Sequence, residues 1–221
     1  MSSFPSPGFR FYEVQDLLAA YAAHDHTFSD SPEAPGPALS EYLRIVSRDP
    51  RRATTAVEQL DELLHAGLES SEIADDVELL PKIEPPSGSS VEDCLRVIRG
   101  HLVRQIENPV PATPSLPTGK WEYRARFPEL NQLLGAYFHQ DFFDEYASYD
   151  DAVDDYLAGA SDSDRDQLVR DISDLLSLTT TDRDLEQAAT VLGMDVAPPS
   201  GTGIRQWLRD VLGVVSGHQE Q

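Results

Sequence analysis

With 221 residues, 40 % of them hydrophobic, the chain has enough apolar surface for one ordinary domain or two small ones, and wholesale disorder is excluded. Its 17 basic residues against 39 acidic ones give a net charge of −22, a surface that repels nucleic acid and anionic membranes and steers toward cations; the alternative is that the charge only keeps the chain soluble or reflects a salty habitat. A single cysteine, Cys94, excludes an internal disulfide and leaves no cysteine cluster for zinc.

The opening, MSSFPSPGFR, shows no basic stretch followed by an apolar one, and no run approaches the ~20 apolar residues of a membrane span. A cytoplasmic protein is expected. From Phe11 the sequence reads FYEVQDLLAAYAAHD, an amphipathic helix ending near His24, Asp25 and His26. Two histidines separated by one residue cannot share a helix face. On a turn they could chelate, but the ligand count falls short of a metal site. Pro32, Pro35 and Pro37 push the start of the next helix toward Ala38, because proline is excluded from a helix interior. QLDELLHAGL and then PPSGSSVEDCLRVI carry the remaining helical stripes of this half.

Between Asn108 and Gly119 the chain reads NPVPATPSLPTG, with four prolines and no charge. Such a stretch favours an extended polyproline path and reads as an inter-domain linker. The domains expected are 9–107, the linker 108–119, and 120–216.

The sequence after the linker echoes the one before it. Phe11, Glu13, Leu17, Leu18, Ala20, Tyr21 and Asp25 are repeated as Phe127, Glu129, Leu133, Leu134, Ala136, Tyr137 and Asp141. LSEYL is echoed by VDDYL, QLDELLHAGL by DISDLLSL, and PPSGSSVEDCLRVI by PPSGTGIRQWLRDV. Four colinear matches predict an internal duplication whose two copies pack as a pseudo-dimer or move independently. In the second copy Leu130, Leu133, Leu134, Tyr137 and Phe138 form one helical stripe. Ser148 and Ser163 read as N-caps of the next two helices, and Thr181 opens a short one stopped by Gly193. Ile204, Trp207, Leu208, Val211 and Val215 form the last stripe. No segment alternates with period two, so the expected fold class is all-α: two tandem small bundles of about five helices each.

Chemistry is sparse. His139 and Asp141 could be an acid–base pair or two metal ligands, but a third group is missing, and His218 is the only other histidine of this half. There is no phosphate-cradling glycine loop, nucleophile elbow or HExxH helix. Neither an enzyme nor a cofactor is expected. The acidity, by contrast, is concentrated: from Asp141 to Asp184 there are 14 acidic residues against 3 arginines. YFHQDFFDEYASYDD mixes that charge with more rings than a core of this size needs. Rings supply buried area and carboxylates steer, a combination suited to a cationic protein surface. The candidate partner-binding residues are Tyr137, His139, Asp141, Phe142, Phe143, Asp144, Glu145, Tyr149, Asp150, Asp151, Asp154 and Asp155.

At these residues the second half resembles the CdiI-type immunity proteins of contact-dependent growth inhibition. The resemblance rests on FPELNQLLGAYFHQDF and, later, PPSGTGIRQWL, and it runs from Phe127 to about Val215. It implies a small cytoplasmic helical protein that binds and neutralises a cognate toxin domain, often a nuclease, without a cofactor. The first half departs from the pattern: Ala22, Ala23 and His24 stand where the second has Phe138, His139 and Gln140, and Cys94 stands for Trp207. An acidic helical adaptor for another basic protein is the alternative reading.

Overall fold

The computed structural model describes residues 9–217. These fall into two compact units divided between Thr113 and Pro114. The fold is all-α, and the one β feature among the described residues is an isolated bridge between Thr27 and Glu84.

The first unit has five helices: α1 (Tyr12–Ala22), α2 (Pro37–Val46), α3 (Pro50–Ala66), α4 (Ala74–Glu78) and α5 (Val91–Glu107). Their starts follow local chemistry. Pro37 and Pro50 sit in the first turns of α2 and α3, where a missing N–H costs nothing, and Ser90 with Asp93 closes a capping box at α5. The α1 helix packs on α2 and α3, and α3 lies along α5. Phe11, Leu17, Tyr21, Leu39, Tyr42, Leu60, Leu63 and Leu95 fill the core between them.

The second unit has seven helices: α6 (Lys120–Arg126), α7 (Pro128–Tyr137), α8 (Phe142–Glu145), α9 (Tyr149–Gly159), α10 (Asp162–Leu178), α11 (Asp182–Val191) and α12 (Ile204–Gly217). Five of them correspond to the expected stripes; α6 and α8 are additions. Ser148 and Thr181 cap α9 and α11 as expected, but α10 starts from Ser161 rather than Ser163. Both serines precede an aspartate by three residues. The earlier one is used, and Asp164 accepts from the Ser161 backbone N–H at 2.9 Å, so two further residues join the helix. The α10 helix packs on α7 and α12, α9 on α7, and α11 on α12. Leu130, Leu133, Leu134, Phe138, Leu168, Ile172, Leu175, Trp207, Leu208 and Val215 form the core. Each such side chain contributes about 1.5–3 kcal/mol by leaving water.

Each unit solves one problem in the same way. A helix leaves its first backbone N–H groups without partners. In the first unit the Gln59 side-chain oxygen on α3 accepts from Glu13 and Val14 at 3.0 and 3.1 Å. In the second the Asp171 carboxylate on α10 accepts from Glu129 and Leu130 at 2.9 and 3.1 Å. The long helix therefore caps the helix packed across it.

Residues between Asn108 and Gly119 carry no regular secondary structure, yet they are tied down. Within the first unit Gln105 donates to the Val110 carbonyl at 3.3 Å and Arg48 to that of Thr113 at 3.2 Å. Within the second, the Arg126 side chain donates to the Ser115 carbonyl and to Asp174, while Leu116 packs against the core.

Candidate functional site

The candidate residues cluster where α7 ends, α8 turns and α9 begins. Phe138 is the last ring of the α7 stripe. It stacks on Phe142 at 5.4 Å and meets Trp207 of α12 edge-on at 5.0 Å. Tyr149 lies against Phe142 at 4.8 Å, and its hydroxyl donates to the Ala197 carbonyl at 2.5 Å. Phe142 is 1 % exposed and belongs to this aromatic core. Phe142 is therefore not a surface anchor: α8 is one turn long, and its first residue is drawn under by the four rings it touches, those of Phe138, Phe143, Tyr146 and Tyr149.

Phe143, one residue on, is 72 % exposed. Its ring stands edge-on to Phe142 at 5.0 Å, so an exposed side chain is mounted on a buried one. Asp141, Asp144 and Glu145 beside it are exposed, as are Asp150, Asp151, Asp154 and Asp155 on the outer face of α9. Tyr137 is half-buried between Tyr146 and Tyr156, with centroids at 6.2 and 5.6 Å. The Tyr146 hydroxyl donates to Asp155 at 2.8 Å, and desolvation together with that carboxylate pushes the phenol up to about 12. Tyr146 thus stays neutral at physiological pH. It fastens α9 to the segment after α8, so Asp155 has a structural bond besides the partner-facing place the sequence predicts for it.

His139 is a local brace. Its Nδ1 accepts the Asp141 backbone N–H at 3.2 Å, which leaves the proton on Nε2, 3.3 Å from Glu145. The Asp141 carboxylate stands off at 3.8 Å. The ring spans α8 from one side to the other and holds the turn that presents Phe143.

In the first unit the histidines diverge. His24 meets Glu41 at 3.0 Å, whereas His26 Nδ1 bonds the Lys82 carbonyl at 2.8 Å. Asp25 and His26 both adopt positive φ (54° and 60°), which turns the three side chains apart. Among the described residues no group of three or more His, Cys, Asp or Glu side chains is arranged to hold a metal ion; His218 lies outside the described residues. A cleft of about 180 Å3 in the first unit is lined by Val46, Pro50, Ala53, Ile106, Pro109 and Val110 among others, with no titratable group on its walls. Among the described residues no helix is long and apolar enough to cross a membrane.

Residues 126–214 match the family model described as CdiI immunity protein. No curated protein and no solved structure matches the chain. The matched span begins at Arg126, just before α7, ends inside α12, and contains every candidate residue.

Proposed function

From the match of residues 126–214 to the family model described as CdiI immunity protein, we propose that the chain binds a cognate toxin domain and neutralises it through the surface around Phe143. The observation that carries the choice of surface is the exposed Phe143 ring, mounted on the buried Phe142 and bordered by Asp141, Asp144 and Glu145. A rigid ring contributes binding area with little ordering cost, and carboxylates around it accelerate encounter with a cationic partner. A nuclease toxin fits this chemistry, because a groove that binds nucleic acid is basic. Occupation of that groove by acidic side chains displaces the substrate without any catalysis by the chain. The matched sequence patterns and the two tertiary caps support a further reading, that the first unit is a diverged duplicate of the second.

Growth rescue tests this. The chain is co-expressed with its candidate cognate toxin domain. Wild type restores growth, and Phe143→Ala, soluble and with an unchanged helical spectrum, loses most of that protection. Full protection by Phe143→Ala moves the interface elsewhere. No protection by wild type rejects the immunity reading.

A further inference from the structure

The α8 helix is a single turn, and one turn of helix is not stable by itself in water. Asp141, which precedes it, makes no capping bond with its side chain. Two other side chains hold the turn. Phe142 anchors its first residue among the buried rings. His139 accepts the Asp141 backbone N–H at Nδ1 and brings Nε2 to 3.3 Å from Glu145, so one imidazole joins the residue before the turn to the residue that ends it. The exposed Phe143 ring lies between those two points of attachment. In the first unit Ala23 stands where His139 does, and among the described residues no helix lies between α1 and α2. There Asp25 and His26 take positive φ instead, and Phe28, the one phenylalanine of that loop, is buried.

We propose that His139, in its neutral form, is the positioning residue of the toxin-binding surface: it keeps Phe143 presented while Asp141 and Glu145 retain their full charge, and its protonation weakens the hold on the toxin. The inference rests on the immunity reading. Protonation acts twice, in the same direction. A proton on Nδ1 ends its acceptance of the Asp141 N–H, because two donors then face each other. The imidazolium also cancels part of the charge of Glu145 at 3.3 Å and Asp141 at 3.8 Å, the carboxylates that draw a cation toward Phe143. Those two are the ion-pair partners of the ring among the described residues. Asp144 shares the turn, and Asp195 is brought near by its backbone N–H, which donates to the Phe138 carbonyl at 2.9 Å. From Phe127 to Asp164 there is no lysine or arginine, so His139 is the one side chain of that stretch able to turn positive.

The test uses the full chain as wild type, His139→Asn, His139→Gln and Phe143→Ala, at about pH 7.5 and about pH 5.5, between which a histidine changes most of its charge. The asparagine side-chain oxygen accepts an N–H two residues on, as Nδ1 does, and does not titrate. Glutamine keeps the reach toward Glu145 and gives up the local acceptor. The amide-exchange protection factor of Asp141 reports the turn, calorimetric titration with the purified candidate toxin domain reports affinity, and the helical spectrum verifies the fold at both pH values. In wild type, protection and affinity should each fall about tenfold at the lower pH. His139→Asn should keep most of both at the higher pH and vary little with pH, whereas His139→Gln should be about tenfold weaker at both. Rescue by asparagine separates positioning from packing, because it is the smaller side chain. Titration of the toxin itself is common to every variant, so the ratio of wild type to His139→Asn isolates the imidazole. Equal Asp141 protection in wild type, His139→Asn and His139→Gln, or wild-type and His139→Asn affinities that fall in parallel, overturns the inference. If Phe143→Ala weakens binding and neither His139 variant does, only this inference fails. If wild type binds no toxin at either pH, the immunity reading fails and takes this inference with it.

Discussion

The Tyr156 hydroxyl donates to the Glu129 carboxylate at 2.8 Å, fastening α9 to α7, and in the first unit Tyr42 donates to Glu13 at 2.6 Å between α2 and α1. The surroundings differ. Glu13 also accepts from Arg52 Nε at 2.8 Å, and Arg52 lies 5.6 Å from the Tyr42 ring centroid. Glu129 has no such cation among its bonds, and desolvation raises its pKa. The Tyr156→Phe change therefore leaves a half-buried carboxyl without its donor and lowers the stability of the second unit by about 1–3 kcal/mol. Urea unfolding followed by tryptophan emission reads this directly, because Trp121 and Trp207 both lie in the second unit. The Tyr42→Phe change, with Arg52 still in place, costs the first unit less, and the smaller loss appears in the helical signal alone.

Phe142 and Phe143 separate folding from binding. Phe142→Ala opens a cavity among Phe138, Tyr146 and Tyr149 and costs about 3–5 kcal/mol. Phe143→Ala removes an exposed ring and changes stability by about 0.5 kcal/mol or less. Thermal unfolding of the two variants distinguishes them. Equal losses would mean that Phe143 is also a core residue.

That pair also marks how far the sequence could be read. The stripes of α7, α10, α11 and α12 were legible because a helix of ten or more residues shows its period. The one-turn α8 has no period to show, so two adjacent phenylalanines looked alike until the fold buried one and exposed the other. The α6 helix was missed for the same reason: KWEYRAR is too short to repeat a pattern. The Glu129, Tyr156 and Asp171 contacts join residues 27 to 42 positions apart, and a buried acid that caps a neighbouring helix looks the same in sequence as an acid on a solvated face. The acids on α9 lie on an exposed face because Ala152, Val153, Tyr156 and Leu157 occupy its buried side.

Gly193 ends α11 with φ 102°, and a Cβ added there would stand 2.8 Å from the Gly135 Cα. Gly193→Ala thus combines a left-handed backbone with a clash against backbone, and is expected to cost about 2 kcal/mol or more. The reverse side of the contact is forgiving. A Cβ at Gly135 would meet the Leu192 carbonyl at 3.4 Å, an ordinary contact, and alanine is the better helix former by about 0.5–1 kcal/mol. Gly135→Ala is therefore neutral or stabilising, and the first unit carries Ala19 at the matching position of its first helix. Urea midpoints of the two variants, read by tryptophan emission, test this asymmetry; equal losses would refute it.

Asp171 gives the second unit a pH dependence that the first unit avoids. Burial pushes its carboxyl from an ordinary 3.8 up to about 7, against the lowering effect of the bonds from Gln167, Leu130 and Glu129. The folded state therefore holds more protons than the unfolded state between those two values. The stability supplied by protonated Asp171 is complete below about pH 4 and is lost as pH rises toward 7, by up to roughly 4 kcal/mol for the full shift. The Asp171→Asn change keeps an oxygen for the two α7 N–H groups, as Gln59 does for α1, and no longer titrates. In wild type the urea midpoint of the tryptophan transition should fall between about pH 4.5 and about pH 7.5. In Asp171→Asn most of that fall should vanish, leaving the smaller slope that Glu129, also raised by desolvation, contributes with the same sign. Parallel midpoint curves for the two proteins would mean that Asp171 is ionised in the fold throughout this range, held so by its three donors.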